Sequence, residues 1–159
     1  MKRMEIEECL SHLLDALNPI EETERVHITE CHGRILAEDV TAGMMVPSFP
    51  KSAMDGYGVL ASDVEHASRE NPVRLNVLGE LLAGDYKEIL YEKNTAVRVM
   101  TGSYVPEGFD AVVRQEDTDY GESVVCVYEA VKPYVNYCRV GEDIQKGDIV
   151  IKQNTGISS

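Results

Sequence analysis

Positive charge is scarce in this chain: 15 Lys and Arg stand against 28 Asp and Glu, a net charge of −13 over 159 residues. A surface this acidic repels nucleic acid and anionic lipid, and no local Lys/Arg cluster offsets it, so neither is an expected partner. Long apolar runs are also missing, and no segment could span a bilayer. The opening Met1-Lys2-Arg3-Met4-Glu5 turns acidic at once, without the apolar stretch of a signal peptide. Four cysteines (Cys9, Cys31, Cys126 and Cys138) show no C-x-x-C spacing, which argues against a disulfide framework or zinc site. They read as free thiols of a cytoplasmic protein. Histidines 12, 27, 32 and 66 lack metal-binding spacing, and no glycine-rich phosphate loop or serine-hydrolase elbow is present.

What remains is a folded chain with 43% hydrophobic residues. Ile6, Cys9, Leu10, Leu13, Leu14 and Leu17 recur at helical spacing and predict an amphipathic helix over residues 4–17, ended by Asn18-Pro19. Alternation at Val26 and Ile28 predicts a short strand, and Cys31 to Asp39 a helical turn. Short β segments follow at Tyr57–Ala61, Val73–Leu78, Ala96–Met100, Ala111–Gln115 and Ser123–Glu129, with a last strand at Asp148–Lys152. Asp63 to Ser68 is expected to form one helical turn. Val73, Leu75 and Val77 alternate with polar residues, as in a sheet with one wet face. The fold class is therefore mainly β behind an N-terminal helix, α+β overall.

Three segments carry the candidate chemistry. In Pro47-Ser48-Phe49-Pro50-Lys51-Ser52-Ala53-Met54-Asp55-Gly56-Tyr57, two prolines stiffen the approach to a hydroxyl, a carboxylate and a glycine turn. Asp55 can accept backbone N–H bonds that close the turn, or ligate a hard cation. In the second, Met100-Thr101-Gly102-Ser103-Tyr104-Val105-Pro106-Glu107-Gly108-Phe109-Asp110-Ala111-Val112-Val113-Arg114-Gln115-Glu116, Thr101 stands where a strand gives out. There its hydroxyl either caps the strand or meets an oxyanion. Glu116, close by Asp117 and Asp119, belongs to an acidic rim or a Mg²⁺ site. The third segment is Arg139-Val140-Gly141-Glu142-Asp143-Ile144-Gln145-Lys146-Gly147-Asp148, where Asp143 orients a substrate or closes a turn.

In order and separation these segments resemble the signature stretches of the MoeA/gephyrin family of molybdopterin molybdotransferases: an S-A-M-D-G-Y-A-like loop, a T-G-x-x-x-P-x-G-x-D-A-V-V run and a G-E-D-I-x-x-G turn. The resemblance spans essentially the whole chain and only the N-terminal region of the family protein. It implies that the family's catalytic α/β domain and C-terminal β-barrel are absent from this chain. It also implies an elongated domain from residues 1–45 plus 135–159, with a β-rich domain of residues 46–134 inserted between. The implied reaction inserts molybdate into adenylated molybdopterin with loss of AMP and assistance from Mg²⁺. The site would be shared between the subunits of a homodimer, with Asp55 and Thr101 acting in trans.

On this resemblance Asp55, Thr101 and Asp143 are catalytic candidates, Ser52 and Arg139 contact the bound cofactor precursor, and Glu116 is the metal candidate. Pro50 and Gly58 depart from the family pattern mildly. Cys138 stands where the family favours a basic residue and cannot offer a guanidinium's donors, so Arg139 would have to serve. The alternative is a non-catalytic dimerisation or scaffold module like that of gephyrin.

Overall fold

The computed structural model describes residues 5–18 and 20–158. Among the described residues one α-helix, α1 (Ile6–Asp15), is followed by strands β1 (Val40–Thr41), β2 (Lys51–Ser52), β3 (Gly56–Val59), β4 (Val73–Leu81), β5 (Thr95–Val99), β6 (Ala111–Arg114), β7 (Val124–Val127), β8 (Tyr137–Cys138) and β9 (Ile149–Ile151), of which β5, β6, β7 and β9 are rich in β-branched residues. The chain is mainly β, as expected. It divides into two compact units, Met1–Val40 with Ile151–Ser159, and Thr41–Val150.

In the smaller unit α1 is shorter than the span read from periodicity, and the outer markers of that span, Met4 and Pro19, lie outside the described residues. None of the helix residues is buried, and Leu10, Leu13 and Leu14 are all more than half exposed. The strand expected at Val26–Ile28 does not form. His27 instead accepts the Thr29 N–H through Nδ1 and opens a 3₁₀ turn, Ile28–Glu30. Cys31 to Asp39 is not helical either. Gly33 donates to Ile157 O at 2.8 Å and Leu36 to Thr155 O at 3.0 Å, while Ile35 bridges Gly156. A partner more than a hundred residues away satisfies the backbone that a local helix would have served.

The larger unit is built on a five-stranded sheet, order β6-β3-β5-β4-β7. All pairs are antiparallel except β4 with β5, which run parallel. Parallel neighbours need a crossover. Residues 82–94 supply it without a helix and pack Ile89 and Tyr91 onto the sheet. The sheet is not wet on one face at its centre. Tyr57, Leu75, Ala96, Val113 and Val125 fill one face, whereas Val97, Val99, Val112 and Phe109 fill the other. β4 keeps exposed positions between more covered ones, and β7 alternates half-buried with buried. The turn expected at Asp63–Ser68 begins earlier, as a 3₁₀ turn at Ala61–Asp63, and a second turn within the expected span has Ala67 donating to Val64 O at 3.0 Å.

Both sheet edges are covered. Tyr134 donates to Asp110 O at 2.7 Å and Val112 to Val135 O at 3.0 Å along β6. Along β7, Thr118 bridges Val127 and Tyr128 donates to Asp117 O at 2.9 Å. Closed edges deny another chain a template for pairing.

Candidate functional site

The three motif segments, far apart in sequence, are stitched together within the larger unit. β2 is the middle rung. Lys51 pairs with Cys138 on one side and bridges Tyr104 on the other. Ser52 donates to Ser103 O at 2.9 Å, and its own carbonyl accepts from Gly102 at 2.8 Å. Ala53 donates to Asn136 O at 3.0 Å. The third segment joins through Gly141 to Pro47 O at 2.9 Å and Asp143 to Val46 O at 2.9 Å. Backbone hydrogen bonds of this number hold the loops in a fixed mutual register.

Past β2 the chain turns at Ala53–Asp55 and enters β3 at Gly56. A Cβ on Gly56 would stand 2.0 Å from Val113 O, so only glycine lets β3 approach β6 this closely. That approach fixes where Asp55 sits. Its carboxylate Oδ1 accepts both the Thr101 N–H and the Thr101 hydroxyl, each at 2.7 Å. Its carbonyl accepts from Gln115 at 3.1 Å. Asp55 is nonetheless exposed, and among the described residues no donor reaches Oδ2. The Thr101 amide and then its hydroxyl hold the Asp55 carboxyl below its ordinary range; partial desolvation opposes them and the charge of Arg98 adds to them. A carboxylate stabilised in this way stays ionised near neutrality and is a weak base. It is fitted to accept a hydrogen bond or meet a cation, not to shuttle protons.

Asp55 and Thr101 are therefore brought together. The other predicted residues lie around them in different states. Ser52 is buried and its hydroxyl donates to Met54 O at 2.5 Å, closing its own turn. Glu116 is exposed in the 3₁₀ turn Gln115–Asp117, one residue beyond the Gln115 N–H that meets Asp55. Its acidic neighbours are already engaged: Asp117 pairs with Arg114 at 2.8 Å, and Asp119 Oδ1 accepts from the Gly121 and Cys126 amides. Asp143 is exposed, anchored by its backbone. Arg139 lays its guanidinium 5.0 Å over the Tyr134 ring, and its backbone amide donates to Glu142 Oε2 at 2.7 Å.

Three residues went unnoticed in the sequence. Arg98, on β5, pairs with Glu80 at 3.4 Å and projects positive charge toward Asp55; an arginine within the apolar run Ala96–Val99 was the available signal. Lys51 faces Cys138 directly across the β2–β8 ladder, which puts an ammonium-bearing side chain on the same face of that ladder as the thiol. Asn136 adopts φ +52° and donates from Nδ2 to Val112 O at 3.0 Å, locking the third segment to β6.

Among the described residues no three His, Cys, Asp or Glu side chains gather as metal ligands. Mg²⁺ is commonly held by one or two carboxylates together with water and phosphate. Asp55, exposed and with no donor on Oδ2 among the described residues, fits that pattern as one ligand beside others. Among the described residues, too, no helix is long and apolar enough to cross a membrane.

Comparison with known proteins places the chain in a family. The model of the MoeA N-terminal region (domain I and II) matches residues 4–159. The chain is 37% identical over 154 residues to a molybdopterin molybdenumtransferase of Haemophilus influenzae, covering 96% of this chain and 37% of that protein. It is 40% identical over 141 residues to the enzyme of that name from Bacillus subtilis, covering 86% of this chain and 33% of the relative. Among solved structures, the molybdopterin biosynthesis moeA protein of Pyrococcus horikoshii OT3 superposes with a TM-score of 0.87 at 37% identity, over 92% of this chain and 39% of that one. The chain thus spans little more than a third of the relatives it matches, and over that span it belongs to the MoeA family, in its N-terminal region.

Proposed function

We propose that this chain supplies one face of the active site of a molybdopterin molybdotransferase, in a reaction that inserts molybdate into adenylated molybdopterin with release of AMP. One observation carries the reading: an exposed carboxylate, Asp55, clamped by Thr101 at the junction of three loops. The names of the relatives support it. Because the chain spans about a third of their length, the activity is proposed for a protein of their full extent.

Chemically, the chain's own residues orient and exclude more than they react. Asp55 is too weak a base to drive proton abstraction, and the Ser52 hydroxyl is spent on its own turn. Holding two substrates in register is itself a large rate effect. Both substrates are anions and the chain carries −13, so the groups that hold them come mainly from elsewhere. In this reading those groups belong to the second subunit of a homodimer, and Asp55 and Thr101 complete its cleft in trans. Mg²⁺ enters as a companion of the substrate phosphates, and Asp55 Oδ2 is the oxygen this chain offers it.

The test is cofactor formation by the full-length protein from adenylated molybdopterin and molybdate. Asp55→Asn and Thr101→Ala are each expected to slow it by about 10²–10³-fold, the cost of losing a positioned polar group, with the fold retained by circular dichroism and only a small loss of thermal stability from the missing Asp55–Thr101 bonds. A double variant forming cofactor within about twofold of wild type would overturn the reading. A second reading, a non-catalytic assembly module, is favoured by the exposed leucines of α1. It predicts unchanged cofactor synthesis in both variants and loss of association in Leu13→Glu.

A further inference from the structure

On the same unit, Phe49, Gly84, Asp85, Tyr86 and Tyr104 line a cavity of about 250 Å³. Neither Asp55 nor Thr101 takes part in it. Three of its five residues are aromatic, and their rings do not lie flat on one another. Phe49 and Tyr104 are 6.3 Å apart with planes inclined at 66°. Tyr86 and Tyr104 are 5.2 Å apart at 44°. Such edge-to-face and tilted pairs are packed contacts, and Tyr86, largely exposed, keeps much of its ring open.

The local chain explains the arrangement. The Lys51–Tyr104 bridge, with Val105 donating to Pro50 O at 3.0 Å, sets Tyr104 beside the Phe49 segment. Asp85 Oδ2 accepts from the Leu82 N–H at 3.2 Å and closes a tight turn through Gly84, at φ +94°, that presents Tyr86. That turn uses one carboxylate oxygen, and among the described residues no donor meets the other. Tyr86 stays 77% exposed, so its ring adds little to the core of the unit. Among the described residues no cationic side chain lines the cavity. Lys51 pairs directly with Tyr104 without lining it, and the Lys87 ammonium is directed at Glu80 O, 3.5 Å away.

We propose that this cavity is a cage for the cationic side chain of an arginine or lysine carried by a basic segment of a partner protein. Aromatic walls attract a cation through the negative faces of their rings, and a single carboxylate adds charge and a hydrogen-bond acceptor. The net charge of −13 draws such a segment in and repels an acidic one. An anionic planar ligand would face Asp85 without a compensating donor.

The test follows the ring resonances of Phe49, Tyr86 and Tyr104 by NMR in the full chain. The titrants are a Gly/Ser peptide with one arginine, the same peptide with citrulline, and free guanidinium. The arginine peptide is expected to shift all three rings saturably, with the citrulline peptide and free guanidinium at least about fivefold weaker. Tyr86→Ala and Asp85→Asn should each weaken the arginine peptide about three- to tenfold while leaving the other amide resonances in place. Equal binding of the citrulline peptide overturns the proposal, because recognition would then be apolar. Equal binding of free guanidinium also overturns it, replacing the segment with a small cation. So does binding that spreads over the acidic surface and ignores both variants, or the absence of any ring shift.

Discussion

Thr101 donates twice to one oxygen of Asp55, through its amide and its hydroxyl, both at 2.7 Å and across 46 residues of sequence. The two bonds can be separated by mutation, since only one depends on the side chain.

Thr101→Val removes the hydroxyl and keeps the amide and the β-branched shape. The Asp55 pKa should rise, but stay below the ordinary carboxylate value because the amide is the larger cause. Carboxyl ¹³C NMR titration measures this. The sign for stability follows: a depressed folded-state pKa contributes stability that is present above the unfolded pKa and is lost as pH falls through the folded pKa. Wild type should therefore lose more stability than Thr101→Val on going from neutral pH down through the acidic range. An unchanged Asp55 titration in the variant would mean that the hydroxyl bond is not formed in solution.

Gly56 and Gly102 offer a contrast in why glycine is needed. At Gly56 a methyl would meet Val113 O at 2.0 Å, and the obstacle is backbone. Gly56→Ala should cost about 2–4 kcal/mol by urea unfolding, since β3 must pull away from β6. Gly102 has open space but φ +83°, so Gly102→Ala should cost only about 1 kcal/mol of backbone strain. If the two variants unfold alike, the close approach of β3 to β6 is wrong.

Much of the sheet was legible from residue pattern. Runs such as Thr95–Val99 and Ala111–Arg114 combine β-branched residues with flanking turns, and strands form there. Their pairing was not legible. Nothing local says that β4 and β5 run parallel, or that the central strands are buried on both faces, because both facts depend on the path of residues 82–94. Local pattern failed where a distant partner decided the outcome, as when the chain end zipped onto Gly33–Leu36 in place of a helical turn. The candidate site divides the same way. Asp55 and Thr101 stood out as residue types beside glycines, whereas their meeting rested on resemblance until the geometry was seen. Lys51 escaped notice because its significance lies in register with Cys138.

Burial distinguishes the apolar residues of the two units. Leu75 is fully buried in the sheet, so Leu75→Ala should cost about 2–5 kcal/mol by urea unfolding. Leu10 and Leu13 of α1 are 54% and 61% exposed. Leu10→Glu and Leu13→Glu should stay within about 0.5 kcal/mol of wild type when the isolated chain is unfolded at low concentration. A loss comparable to that of Leu75→Ala would show that these leucines are covered within a single chain.

Cys126 carries a signature that chemistry can read without any assay of function. Asp119 lies beside its thiol and is the first cause, followed by burial and the Asp119 charge, that pushes its pKa up. Alkylation proceeds through the thiolate, so at a fixed mildly alkaline pH a raised pKa means less of the reactive form. Asp119→Asn keeps an acceptor for the Cys126 amide but removes the negative charge. Its effect is therefore a lower thiol pKa and faster iodoacetamide labelling of Cys126, followed by peptide mass spectrometry. Because Asp119 also ties down the Gly121 turn, labelling could accelerate through loosening alone. The pH profile separates the two causes. Relief of charge shifts the midpoint of the rate profile to lower pH, whereas loosening raises the plateau and leaves the midpoint in place. A profile that moves only in height would exclude Asp119 as the group that suppresses this thiol.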